Sequence, residues 1–144
     1  MTFPGFKFTC LTCNESWVEP SVPNGSYGVF ILRSSNRSIR SLDADEDKVF
    51  EEITVYLKLR SKDQNDRTTA NEHHRLFTLT CDPDDKGQPY QFTSFSNCPR
   101  CGLQEISWKF DEARTTFEVP HVQHNQWKLL TDNERLEILD AHAR

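Results

Sequence analysis

The sequence predicts a mainly β fold of the β-rich α+β class, and three observations carry that expectation. Apolar and polar residues alternate with a period of two in several short stretches. Clusters of Pro, Gly, Asn and Asp punctuate those stretches as turns do. One helix is expected, near the C-terminus, where a capping box precedes an apolar stripe.

Taken in order, Phe6-Lys7-Phe8-Thr9-Cys10 alternates and reads as a short strand. Asn14 follows Cys13 where a turn needs positive φ, which Asn tolerates better than most residues. Trp17 is expected to pack over that turn. Pro20, Pro23, Asn24 and Gly25 mark an irregular connection. Gly28–Arg33 is a short apolar run and reads as a buried strand. A serine-rich loop with Arg33, Arg37 and Arg40 then meets an acidic one with Asp43, Asp45, Glu46 and Asp47.

In Val49–Arg60, Ile53, Val55, Leu57 and Leu59 share one parity, which predicts a strand starting near Glu52. Ser61–Arg75 is polar without periodicity and reads as an exposed mobile loop. Leu76–Cys81 reads as a strand with Phe77, Leu79 and Cys81 on one face, followed by a turn at Asp82–Gly87. Tyr90–Phe95 is a further strand. Ile106, Trp108 and Phe110, then Thr115, Phe117 and Val119, alternate on either side of Asp111–Arg114 and predict a hairpin. Thr131-Asp132-Asn133-Glu134 fits a capping box, so a helix is expected over about Asp132–Ala143, with Leu136, Leu139 and Ala143 on one stripe. Internal repeats are not evident.

The chemistry sits in two cysteine pairs, Cys10-Leu11-Thr12-Cys13 and Cys98-Pro99-Arg100-Cys101-Gly102. Two residues between cysteines let the backbone fold back so that both thiolates grip one ion. Two such pairs supply a closed tetrahedral site. We therefore expect Cys10, Cys13, Cys98 and Cys101 to hold one structural Zn2+, with iron as the alternative. A redox dithiol at Cys98-Pro99-Arg100-Cys101 is a further alternative, opposed by Gly102 and by the strand pattern after it, since redox pairs open a helix. The fifth cysteine, Cys81, reads as a core thiol.

These knuckles resemble those of the zinc-ribbon group and its relative, the rubredoxin-like fold. Cys10, Cys13, Cys98 and Cys101 carry the resemblance, and Pro99 and Gly102 match the Cys-Pro-x-Cys-Gly form. The resemblance implies zinc-ribbon-like hairpins, each with a knuckle at its tip. It covers about residues 1–20 and 90–120. Ordinary ribbons separate the pairs by roughly 15–20 residues; here 84 residues, Asn14 to Asn97, intervene. The expected organisation is thus one domain over 1–144, with the ribbon part at 1–20 and 90–120. Residues 21–89 would be a large inserted antiparallel sheet with loops, and 131–143 one C-terminal helix.

At 144 residues the chain can bury a core, and its Phe, Tyr and Trp add bulk to a modest aliphatic content. A net charge of −5 argues against a broad basic surface for nucleic acid. No stretch has the length of a membrane span, and the N-terminus lacks an apolar run like a secretory signal, so a cytoplasmic location without membrane association is expected. Paired cysteines in that compartment hold metal more often than they form disulfides.

Other candidates have plainer readings. His73, His74, His121 and His124 fit surface histidines better than a second metal site. Asp82, Asp84 and Asp85 fit a solvated turn better than a cation site. Arg33, Arg37, Arg40 and Arg100 could meet phosphate in an anion or nucleic acid, against a solvated basic loop. No phosphate-binding glycine loop, nucleophile elbow or metalloprotease helix motif is present. The leading functional expectation is a non-enzymatic zinc-binding domain acting as a protein-interaction adaptor, inhibitor or regulator. Trp127, Trp17 and Tyr27 would be candidate anchors if exposed. A nucleic-acid-binding ribbon in transcription or DNA/RNA processing is the second reading, and a redox or metalloenzyme the third.

Overall fold

A computed structural model describes residues 1–60 and 68–144. The elements in chain order are β1 (Thr2–Cys10), β2 (Ser16–Pro20), β3 (Val29–Ser34), β4 (Ile39–Asp43), α1 (Lys48–Arg60), α2 (Thr68–Thr78), β5 (Tyr90–Phe92), β6 (Ile106–Phe110), β7 (Thr116–Glu118), α3 (Asn125–Lys128) and α4 (Asp132–His142). The β-rich α+β class holds, with strand and helix in similar proportion.

Two antiparallel sheets form. In the first, β1 lies between β2 on one side and β6 with β7 on the other; in the second, β3 lies between β4 and β5. The second sheet packs Leu32 and Leu42 against Ile53, Leu76, Phe77, Trp127 and Leu139 of the helices. Its other face places Ile31 against Phe3 and Val119, which tie it to the first sheet. Arg33 crosses the same gap, donating to the Pro20 carbonyl at 2.7 Å and to the Thr93 carbonyl.

The stretch expected as a strand over Val49–Arg60 is helix α1. Asp47 caps it, accepting the amides of Val49 and Phe50 at 2.9 Å. Val49, Ile53, Tyr56 and Leu57 are buried, at the spacing of one helical face. The alternating reading fails where it matters, since Val55 and Leu59 are exposed.

The expected strand at Leu76–Cys81 is also corrected. Leu76 and Phe77 are adjacent and both fully buried, which a helix end permits and alternation forbids. They close α2, and Leu79 is exposed. Of the loop expected over Ser61–Arg75, residues 61–67 lie outside the described residues, and from Thr68 onward the chain is helical.

The expected hairpin over 106–119 does not form. Both strands pair antiparallel with β1, β6 along Phe6–Cys10 and β7 along Thr2–Pro4. They run in line, and Asp111–Thr115 is an excursion rather than a reversal. The Asp111 amide donates to Gly5 O at 3.1 Å and the Gly5 amide to Thr115 O at 2.7 Å, pinching the excursion shut. The nine-residue β1 is long enough to serve both partners.

The strand expected to Phe95 stops at Phe92. The capping box forms as expected, with the Glu134 amide on Thr131 Oγ1 at 3.2 Å and the Thr131 amide on Glu134 Oε1 at 3.0 Å. On the predicted stripe Leu139 is buried but Leu136 is exposed. The short helix α3 had no sequence signal of its own; Asp82 accepts the amides of Asn125 and Gln126 at its start, both at 3.0 Å.

Candidate metal centre

The two cysteine turns fold alike. In the first, the Cys10 amide donates to Glu15 O (2.8 Å) and the Asn14 amide to Cys10 O (2.9 Å). In the second, the Cys98 amide donates to Leu103 O (3.0 Å) and the Gly102 amide to Cys98 O (2.9 Å). The residue after each second cysteine has positive φ, 65° at Asn14 and 76° at Gly102. Gly has no Cβ to oppose this, and Asn tolerates it. The turn after Cys13 is as expected from the sequence.

Sheet register then brings the turns together. Cys10 ends β1 opposite Ile106, and the Leu11 amide donates to Glu105 O at 2.8 Å. The Sγ atoms of Cys10, Cys13, Cys98 and Cys101 all lie within 4.8 Å of one another. The pairs Cys10–Cys101 and Cys13–Cys98 are each at 3.5 Å. Sulfurs bound tetrahedrally at about 2.3 Å from an ion are about 3.8 Å apart, so this group has the dimensions of such a site. Cys10 and Cys98 are buried, Cys13 is half-buried and Cys101 is exposed. Among the described residues this is the one group of His, Cys, Asp or Glu side chains that could share an ion.

The local backbone favours thiolate character. Burial works to raise Cys98, but the amides of Cys101 and Arg100 outweigh it and bring the thiol down to about 6. The amide of Cys13 leads in lowering Cys10. The other member of each pair moves the opposite way. At Cys101 the Leu103 amide lowers, but burial and the three neighbouring thiols push it up to about 12. Cys13 is raised as well, its Glu15 amide overridden by burial and by Cys98. Four sulfurs without a cation cannot all ionise; a divalent cation reverses that, since coordinated thiols are deprotonated outright.

The first turn caps the β1–β2 hairpin, as the resemblance implies. The second does not cap a hairpin, because β5 before it belongs to the other sheet and β6 after it pairs with β1. Trp17, opposite Phe8, stacks on that ring at 5.9 Å, with the Arg37 guanidinium 5.7 Å over its own.

The other candidates are distributed through the fold. Of the four candidate histidines, three are not surface groups. His124 is buried, with Nε2 2.9 Å from Asp47 Oδ2 and Nδ1 3.0 Å from Thr80 O. Both ring nitrogens are occupied, so it is a structural tie between α1, α3 and the end of α2. His73 Nε2 lies 3.0 Å from Thr54 Oγ1, and His74 stacks on Phe92 at 4.1 Å; burial lowers the pKa of both. His121, the fourth, is exposed and makes a strand-like bridge to Ser41.

The aspartates are also more engaged than a solvated turn implies. Asp84 is buried and accepts Ser34 Oγ–H at 2.7 Å, with Asn36 and the Lys86 and Gln88 amides adding to it. Ser34 leads in holding its carboxyl near 2. Asp85 is exposed. Cys81 packs against the helical core, and burial pushes its thiol up to about 12.

The arginines do not share one surface. Arg33 is buried beside Glu19. Arg37 is exposed and donates to Asn97 O at 2.6 Å, Arg40 lies over Tyr90, and Arg100 is exposed in the second cysteine turn. Of the candidate anchors, Trp127 is buried and Tyr27 is 90% exposed, while Trp108 and Phe110, not singled out as anchors by the sequence, are more than half exposed.

Set against protein-family models, curated proteins and solved structures, the chain gives no match. No helix among the described residues is long and apolar enough to cross a membrane.

Proposed function

We propose that residues 1–144 form one zinc-binding, non-enzymatic domain that acts by binding another protein, as an adaptor, inhibitor or regulator. The observation that carries this reading is the four-cysteine group itself. Cys10, Cys13, Cys98 and Cys101 would fill all four positions of a tetrahedral zinc, leaving none for water or substrate. The ion would then serve the fold, clamping the end of β1 to the start of β6 across a long loop. A cytoplasmic setting, which keeps thiols reduced, suits such a site. Exposed Trp108 and Phe110, on a sheet fastened in this way, supply contact surface of the kind protein interfaces favour.

The nucleic-acid alternative draws no support from Arg33, whose charge is spent inside the protein on Glu19 and two carbonyls. Metal analysis of the purified full chain tests the zinc assignment: one tightly held zinc per chain is expected, and a red, iron-loaded protein overturns it. Crosslinking of the full chain in its native cell tests the binding role. A protein partner captured by the wild type and lost with Cys98→Ser is expected. Recovery of nucleic acid with a salt-dependent affinity overturns it.

A further inference from the structure

Between β2 and β3, Pro23, Asn24, Gly25 and Ser26 form a turn closed by the Ser26 amide on Pro23 O at 3.3 Å. Gly25 has a φ of 87° and Asn24 is not among the residues with positive φ, which is the pattern of a type II turn. In such a turn the outer residues share the hydrogen bond, and the N–H in the middle is left without one. The Gly25 N–H accordingly has no backbone acceptor among the described residues. Asn24 and Gly25 are both exposed. A Cβ on Gly25 would meet nothing within 4 Å, so that side of the turn is open.

We propose that Asn24 is a site of spontaneous deamidation, through a succinimide formed with Gly25. The Gly25 nitrogen, having lost its proton to hydroxide, attacks Asn24 Cγ. The new C–N bond closes a five-membered ring and the Cγ–Nδ2 bond breaks. The departing Nδ2 group takes up a proton and leaves as ammonia. Water then adds to either ring carbonyl and opens the ring. One opening leaves aspartate at position 24; the other leaves isoaspartate, with the main chain routed through the side-chain carbons. Water and base are the only co-reactants, and nothing is oxidised or reduced.

Two features set this asparagine apart. Glycine has no Cβ to crowd the attacking nitrogen, and its wide choice of φ lets the peptide swing toward Cγ. Elsewhere the corresponding amide is already engaged and belongs to a larger residue. After Asn36, the Arg37 amide donates to Ser34 O at 3.1 Å, and after Asn97 the Cys98 amide donates to Leu103 O at 3.0 Å. After Asn125 and Asn133, the Gln126 amide donates to Asp82 Oδ1 at 3.0 Å and the Glu134 amide to Thr131 Oγ1 at 3.2 Å. Attack at any of these first breaks a hydrogen bond.

The product changes a cleft of about 520 Å³ between the two sheets. Asn24 lines it together with Phe30, Arg33 and Trp108, and no carboxylate among the described residues does. Deamidation gives that lining its first negative charge, and the isoaspartate form also lengthens the backbone between β2 and β3.

The test incubates the purified, metal-loaded full chain at neutral and at mildly alkaline pH, then digests it and weighs the peptides. A gain of about 1 Da is expected in the peptide carrying Asn24, divided between two forms that separate by chromatography. It should appear faster at the higher pH, and at least about tenfold faster than any gain at Asn97 or Asn125, whose following amides are held. Gly25→Ala should slow it by about tenfold or more, with metal retained as the sign of an intact fold. A free peptide spanning residues 20–29 should react within about tenfold of the folded chain, because the turn is open in both. No gain at position 24 overturns the proposal. So does a gain no faster than at Asn97, an unchanged rate in Gly25→Ala, or a folded chain slower than the peptide by more than that margin.

Discussion

The Glu19 carboxylate and the Arg33 guanidinium face each other across the junction of the two sheets, 3.7 Å apart and almost closed to solvent. Glu19 also accepts the Ser96 amide and hydroxyl, both at 2.8 Å, just ahead of the second cysteine turn. One buried carboxylate thus joins β2, β3 and the segment that delivers Cys98.

Removing that carboxylate should be costly. Glu19→Gln leaves the Arg33 cation buried without its counter-charge, and a loss of roughly 3–5 kcal/mol is expected. Denaturant unfolding at fixed zinc measures it. A double variant, Glu19→Gln with Arg33→Met, should lose less than the sum of the two single changes. Additive losses would show that the pair does not act as a unit.

Each cysteine of the group should be needed for metal, and Cys81 should not. Cys10→Ser, Cys13→Ser, Cys98→Ser and Cys101→Ser are expected to lose the ion and most of the stability, since structural zinc supplies on the order of 10 kcal/mol in small domains. Cys81→Ser should keep one zinc per chain. Metal content and thermal unfolding of the five variants decide it, and a tetrad variant that retains zinc and stability contradicts the assignment.

Gly5 faces the mouth of the Asp111–Thr115 excursion. A Cβ there would meet Phe117 Cε2 at 3.0 Å, and Thr115 O and Val18 Cγ1 at 3.1 Å. Two of those atoms are side-chain ends, but the third is a backbone carbonyl that bonds the Gly5 amide itself. Gly5→Ala should therefore destabilise by about 1–3 kcal/mol while leaving the metal bound. An unchanged unfolding midpoint would mean that the excursion yields freely.

Cys81 gives a pH dependence with a definite sign. Burial raises its pKa from an ordinary value of 9.0 to about 12, so the folded chain resists forming this thiolate. The benefit of keeping it protonated is full below pH 9 and is lost as pH rises from 9 toward 12. Cys81→Ala should lose less stability than the wild type over that window. In the folded wild type, iodoacetamide at pH 8 should leave Cys81 unmodified; rapid alkylation there would contradict the burial.

What the sequence alone determined is local. Cys-x-x-Cys spacing, Asn14 at positive φ, and the capping box at Thr131–Glu134 each depend on a few adjacent residues, and each formed as read. The strands at Phe6–Cys10, near Gly28–Arg33 and at Ile106–Phe110 were legible for the same reason. A signal for α1 is also local, Asp47 as a cap with Val49, Ile53 and Leu57 four apart, while the β-branched alternation of the same stretch points to a strand.

Tertiary structure decided what distant residues do to one another. β6 and β7 could not be told from a hairpin, because their alternation is the same whether they pair with each other or with β1. Arg33 read as part of a basic loop, and only the meeting of two sheets placed it beside Glu19. His124 and Asp84 gained their buried partners in the same way. Sequence pattern reports which way a side chain faces along its own strand or helix; what it faces is set by the packing of elements far apart in the chain.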